Sequence, residues 1–96
     1  MDKKVKLKHR SVEEKSNLIK RLNVIEGQVR GVKQMIEEER YCDDVLIQIS
    51  AIQSSLKSLG NVILKNHLST CVVEEIKNDK LEVIDDIIDL FGRLNK

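Results

Sequence analysis

Three side chains in this sequence can ligate a soft or borderline metal: Cys42, His67 and Cys71. His67 and Cys71 stand four apart, so on a helix they share one side and make a ready half-site. Cys42 precedes His67 by 25 positions. On one straight helix, at 1.5 Å per residue, that is a separation of about 37 Å. The three donors therefore cannot meet along a single rod. Two arrangements bring them together: a second copy of the helix laid antiparallel, or a sharp break at Gly60 that folds the rod on itself. In the first, Cys42 of one chain sits beside His67 and Cys71 of the other, and the two-fold axis crosses near Ser55 and Leu56. Two thiolates and an imidazole form a soft set that favours Cu(I), with Zn(II) as competitor. Structural Zn(II) usually takes four protein ligands, so three donors favour trigonal Cu(I). On spacing alone, two buried cysteines and an inert interfacial histidine stand beside that reading as an equal alternative.

The elements that must position these donors are helices. There is no Pro among the 96 residues, 34% are charged and only Tyr41 and Phe91 are aromatic, a composition suited to long helices. Ser11 with Glu14 three residues on makes a capping box. Leu18, Leu22, Ile25, Val29, Val32 and Ile36 then recur at steps of four and three, an a/d stripe on a helix over about 12–39. Gly27 and Gly31 share a face of it and are read as permitting close backbone approach. Glu37 to Tyr41 is the first break. Asp43 and Asp44 fall in the first turn of the next helix, where negative charge suits the dipole. Val45, Ile49, Ile52, Leu56, Leu59 and Ile63 repeat the stripe, which fades through Leu68 and Val72 to Ile76. Residues 77–80 form the second break. Ile84, Ile87, Ile88, Phe91 and Leu94 mark a short third helix. Two long helices and a short one cannot enclose a core alone, so an obligate oligomer is expected, two hairpins forming an antiparallel four-helix bundle.

Residues 1–10 read as a flexible basic arm and residues 11–96 as one helical domain. Net charge is +1, but it is unevenly placed: residues 1–33 hold ten Lys/Arg against four Asp/Glu, and residues 34–96 hold seven against twelve. A basic first third on a neutral whole fits an anion-binding face, although a solvated lysine-rich tail has the same composition. No apolar run approaches the roughly 20 residues of a membrane span, and no signal pattern follows the first lysines. The expected compartment is the cytosol, where two cysteines suit metal or redox chemistry better than a disulfide. No catalytic triad, phosphate-cradling glycine loop or open catalytic metal pattern is present, so no enzyme is expected.

The stretch RLNVIEGQVRGVKQMIEEERYCDDVLIQISAIQSSL, residues 21–56, with NHLSTCV, residues 66–72, resembles the CsoR/RcnR/FrmR family of bacterial repressors. The resemblance implies an all-α, three-helix subunit, an antiparallel dimer and a tetramer of two dimers. It also implies binding of operator DNA without a helix-turn-helix, and release on inducer binding. In the copper branch the donors are Cys, His and Cys, as at Cys42, His67 and Cys71. The nickel/cobalt branch has His at the last position, the formaldehyde branch lacks that cysteine, and the persulfide branch lacks the histidine. The family pattern further places Tyr41 and Asp86 behind the donors, with Glu82 and Asp85 as alternatives to Asp86. A hydrogen bond from the His67 ring to such an acid would fix its tautomer. For DNA, the pattern points to Arg21, with Lys20, Arg30 and Lys33 on the same basic face. Lys57 neighbours a second-helix position, here Ser58, that is often basic.

The function expected is therefore a Cu(I)-sensing repressor. A thiol or persulfide sensor using Cys42 and Cys71 is the rival in the same regulatory class. A copper-buffering protein without DNA function is the rival outside it.

Overall fold

The computed structural model describes residues 6–96, all of whose regular structure is helical. Helix α1 spans Val12–Glu37. It starts where Ser11 Oγ accepts a hydrogen bond from the Glu14 amide at 3.0 Å, which satisfies an otherwise orphaned donor of the first turn. Glu13 and Glu14 add negative charge at the positive end of the dipole. The helix ends at Glu37, two residues earlier than its stripe predicts, because Glu39 turns left-handed (φ 56°).

Helix α2 spans Cys42–His67 and passes straight through Gly60. It runs on into a π-helical turn, Leu68–Val72, and then one further α turn, α3, Val73–Lys77. The second rod thus covers the predicted range without a break. Asp79, again left-handed at φ 61°, opens the turn into α4, Val83–Leu94.

α1 and α2 pack as an antiparallel hairpin around Leu18, Ile25 and Leu59, flanked by Ile52, Val62 and Ile63. Each heptad stripe divides in two. On α1, Leu18 and Ile25 are buried and Val32 half-buried, whereas Leu22, Val29 and Ile36 are 46, 45 and 61% exposed. On α2, Val45 and Leu59 are buried and Ile52 half-buried, whereas Ile49 and Leu56 stay exposed. Members seven apart close the hairpin. The alternate members Leu22, Val29, Ile36, Ile49 and Leu56 form a second apolar face that nothing among the described residues covers, whereas Ile63 is half-buried against the core. A monomer rarely leaves so continuous an apolar strip open.

Gly27 and Gly31 do not mediate a close approach within the chain. A Cβ on Gly31 would meet nothing within 4 Å, and one on Gly27 would meet only the Arg30 guanidinium at 3.6 Å. The close approach lies at Gly60, where a Cβ would stand 2.5 Å from Leu94 Cδ1. Beside it Asn61 and Asn95 exchange two amide hydrogen bonds of 3.2 Å. This pair of contacts docks the end of α4 on the last third of α2.

Candidate metal centre and basic face

Cys42 opens α2 and is exposed. His67 closes α2, half-buried, and Cys71 lies within the π turn, also half-buried. One rod therefore carries all three donors, with Cys42 a full α2 length from His67. No three potential metal ligands cluster among the described residues. The break at Gly60 that would join them within a chain does not occur: His67 and Cys71 stand four positions apart at one end of the rod, and Cys42 stands at the other.

The π turn is the feature the sequence reading missed. Ser69 Oγ donates to the Lys65 carbonyl at 3.2 Å, and Thr70 Oγ1 donates to the Asn66 carbonyl at 2.6 Å. Both are i−4 acceptors of the kind that Ser and Thr take from the backbone ladder inside helices. Adjacent Ser69 and Thr70 are thus a local signal for disturbed winding. A π turn inserts one residue into the helical register and recurs at functional sites. The Cys71 sulfur also lies 3.8 Å from Thr70 Oγ1.

Tyr41 caps the start of α2 through its backbone and is largely exposed. Asp86 sits in the first turn of α4, with Asp85 beside it and Glu82 at the cap. No hydrogen bond among the described residues joins His67 to any of these four. Their expected link to the ring is not made inside one chain.

Among the expected cations, Arg21 borders a groove with Ser54 and Ser58 of α2. Lys57 borders the adjoining groove, which is lined by the same two serines and by Lys65. Arg21 and Lys57 thus flank the same ridge of α2, and Lys65, absent from the expected set, extends it. Lys20 shares a further concavity with Arg21. Arg30 and Lys33 lie farther along α1, at a surface around Gly27 and Gly31. Arg30 approaches Glu26 at only 4.0 Å with both side chains mostly exposed. Among the described residues, Lys20, Arg21, Lys33 and Lys57 make no ion pair.

The model of the metal-sensitive transcriptional repressor family matches residues 14–93. The chain belongs to that family. The copper-sensing transcriptional repressor CsoR of Bacillus subtilis is 42% identical over 91 residues, covering 94% of this chain and 90% of that protein. The copper-sensing transcriptional repressor RicR of Mycobacterium tuberculosis is 50% identical over 68 residues, 71% of each chain. The crystal structure of the copper-sensing repressor CsoR with Cu(I) from Geobacillus thermodenitrificans superposes with a TM-score of 0.84 at 42% identity, covering 94% of this chain and 95% of that one. The nickel-responsive transcriptional regulator InrS superposes with a TM-score of 0.69 at 30% identity, over 92% and 97%. The all-α, three-rod subunit expected from the sequence is the fold found. No helix among the described residues is long and apolar enough to cross a membrane.

Proposed function

We propose that this repressor is a cytoplasmic Cu(I) sensor that binds operator DNA as an oligomer and releases it when its metal site fills. The carrying observation is that one unbroken rod bears His67 and Cys71 at one end and Cys42 at the other, with an uncovered apolar face between them. A second chain laid antiparallel on that face buries the alternate members of both stripes and sets its Cys42 beside the first chain's His67 and Cys71. Two such sites form per dimer, and pairing of dimers gives the tetramer. The donor set fits the ion: two thiolates and one imidazole are soft, and half-burial at His67 and Cys71 limits competing water. Cys42 of one chain with His67 and Cys71 of the other would hold Cu(I), which would supply a link between two subunits.

The chain's own residues make the rest of the switch. Arg21 and Lys57, with Lys20, Arg30 and Lys33, hold DNA through phosphates. Tyr41 and Asp86 stand at the starts of the helices that a shift at His67 would move. The Asp86 carboxylate, or that of Glu82 or Asp85, would orient the ring once subunits pack. Metal and DNA are linked, so each weakens the other by the same factor, about 5- to 150-fold for ordinary couplings.

The test is Cu(I) titration into a complex with DNA from the protein's own upstream region, at fixed salt, followed by anisotropy. Affinity falls as one ion per subunit binds. Unchanged affinity at full occupancy overturns the proposal. His67→Ala separates the thiol-sensing alternative, whose DNA response to oxidant or persulfide does not need the imidazole.

A further inference from the structure

From Val45 to Asn66, α2 carries no acid; its charged side chains there are Lys57 and Lys65. Ser50, Ser54, Ser58 and Asn61 follow at steps of four, four and three, so they share one side of the helix with the two lysines. Three adjoining concavities open along this polar stripe, and Ser54 borders all of them. Arg21 lines one, Lys57 and Lys65 the next, and Lys57 with Arg93 and Lys96 the third. No Asp or Glu lines any of the three, whereas the two concavities along α1 each contain glutamates. A cleft lined by charges of one sign concentrates counter-ions.

Arg93 and Lys96 reach this stripe because the end of α4 is clamped there. Leu94 fills the space that a side chain on Gly60 would take. Asn61 and Asn95 exchange their two hydrogen bonds across 34 residues of sequence. Asn95 also donates to the Phe91 carbonyl at 3.2 Å, so one side chain caps α4 and ties it to α2. The amide pair is partly buried, and breaking it would leave unpaired polar groups there. Charge is segregated along α4: Asp85 and Asp86 lie in its first turn and Arg93 in its last. A cation at a helix C-terminus suits the dipole, but the dipole gives no reason for Lys57 to line the same concavity. Arg93 pairs with Asp89 at 3.1 Å with both side chains mostly exposed, and such a pair is weak enough to yield to phosphate.

We infer that the end of α4 is a further DNA-contacting element, in which Arg93 and Lys96 bind phosphate beside Lys57 and the Asn61–Asn95 pair is the clamp that positions them. This rests on the DNA reading above and adds to it a contact outside α1 and α2. The serines suit the role, because short side chains let a phosphate backbone come close to α2 and their hydroxyls donate to it. The amino-acid order gives no sign of this site: Arg93 and Lys96 lie far from Lys57 in sequence, at the end of an otherwise acidic helix.

The experiment is anisotropy titration of duplex DNA from the protein's own upstream region with the full, metal-free chain over a series of salt concentrations. The proteins compared are wild type, Arg93→Gln with Lys96→Gln, Asn61→Ala, the triple variant, and Arg21→Gln for reference. Each lost phosphate contact lowers the slope of log affinity against log salt by about 0.9, so the double glutamine variant lowers it by about two. Asn61→Ala also lowers the slope by freeing the α4 end, and it adds nothing in the triple variant, where the cations it positions are already gone. Arg93 and Lys96 are exposed, so their variant folds and decides the proposal even if Asn61→Ala does not. A wild-type slope for the double glutamine variant, with that of Arg21→Gln lowered, overturns the contact at the α4 end. A further fall in slope from Asn61→Ala in the triple variant overturns the clamp. Wild-type binding that does not depend on salt overturns the DNA reading itself, and the proposal with it.

Discussion

Complementation between two crippled chains tests the geometry of the metal centre directly. Cys42→Ser leaves His67 and Cys71 intact, and Cys71→Ser leaves Cys42 and His67 intact. Each alone forms only two-donor sites. If the donors come from two chains, a mixed dimer contains one site with all three donors, Cys42 from the Cys71→Ser chain and His67 with Cys71 from the Cys42→Ser chain. Its other site holds a histidine alone. Random pairing of equal amounts makes half the dimers mixed, so tight Cu(I) uptake recovers to about one quarter of the wild-type stoichiometry per chain. A site within one chain recovers nothing, because neither chain has the full set. The structure sets the contrast: Cys42 and His67 are the first and last residues of a continuous 26-residue helix, about 37 Å apart along its axis. The assay is co-refolding of the two variants, then Cu(I) titration against a chromophoric chelator strong enough to strip two-donor sites. Recovery no greater than that of the separately refolded variants would refute the reasoning.

Three further outcomes follow from the fold. Gly60→Ala gains about 1 kcal/mol of helix propensity but sets a methyl against Leu94, an overpacking of order 1–3 kcal/mol; it should be neutral to destabilising alone and stabilising by about 1 kcal/mol in a Leu94→Ala background, read by denaturant melts at fixed protein concentration. Equal effects in both backgrounds would show that the contact at Leu94 is without consequence. Ser11→Ala removes the α1 cap and should lower stability by about 1 kcal/mol, measured the same way, with DNA contacts of folded protein unaltered. Arg21→Gln and Lys57→Gln should each reduce the slope of log affinity against log salt by about one; a fall in affinity with the slope unchanged would place them away from phosphate.

The amino-acid order carried most of the fold because its signals are local. The Ser11–Glu14 box marks where α1 starts, and the four-three spacing sets the helical period. The stripe through Ile84, Ile87, Ile88, Phe91 and Leu94 marks a third helix in the same way, but its spacing does not say what that helix packs on. Only the contact of Leu94 with Gly60 shows where α4 docks. The donors too were legible as residue types, and their 25-residue spacing ruled out convergence on one straight rod. The cations are less legible: Arg21 follows from family resemblance, Lys57 only neighbours the expected position at Ser58, and Lys65 is marked by the groove beside Ser58 rather than by any sequence pattern.

By itself, then, the sequence determined the helical rods, the type of metal donor and the impossibility of joining the donors along one of those rods, all properties of composition and short-range period. Tertiary structure decided which alternate members of each stripe close the hairpin, which glycine admits a neighbour, and that Asn95 reaches Asn61. Those outcomes depend on contacts between residues tens of positions apart, whose free energy no local pattern encodes. The π turn stands between the two: Ser69 and Thr70 announce a competitor for backbone carbonyls, but whether the ladder yields depends on what packs around it.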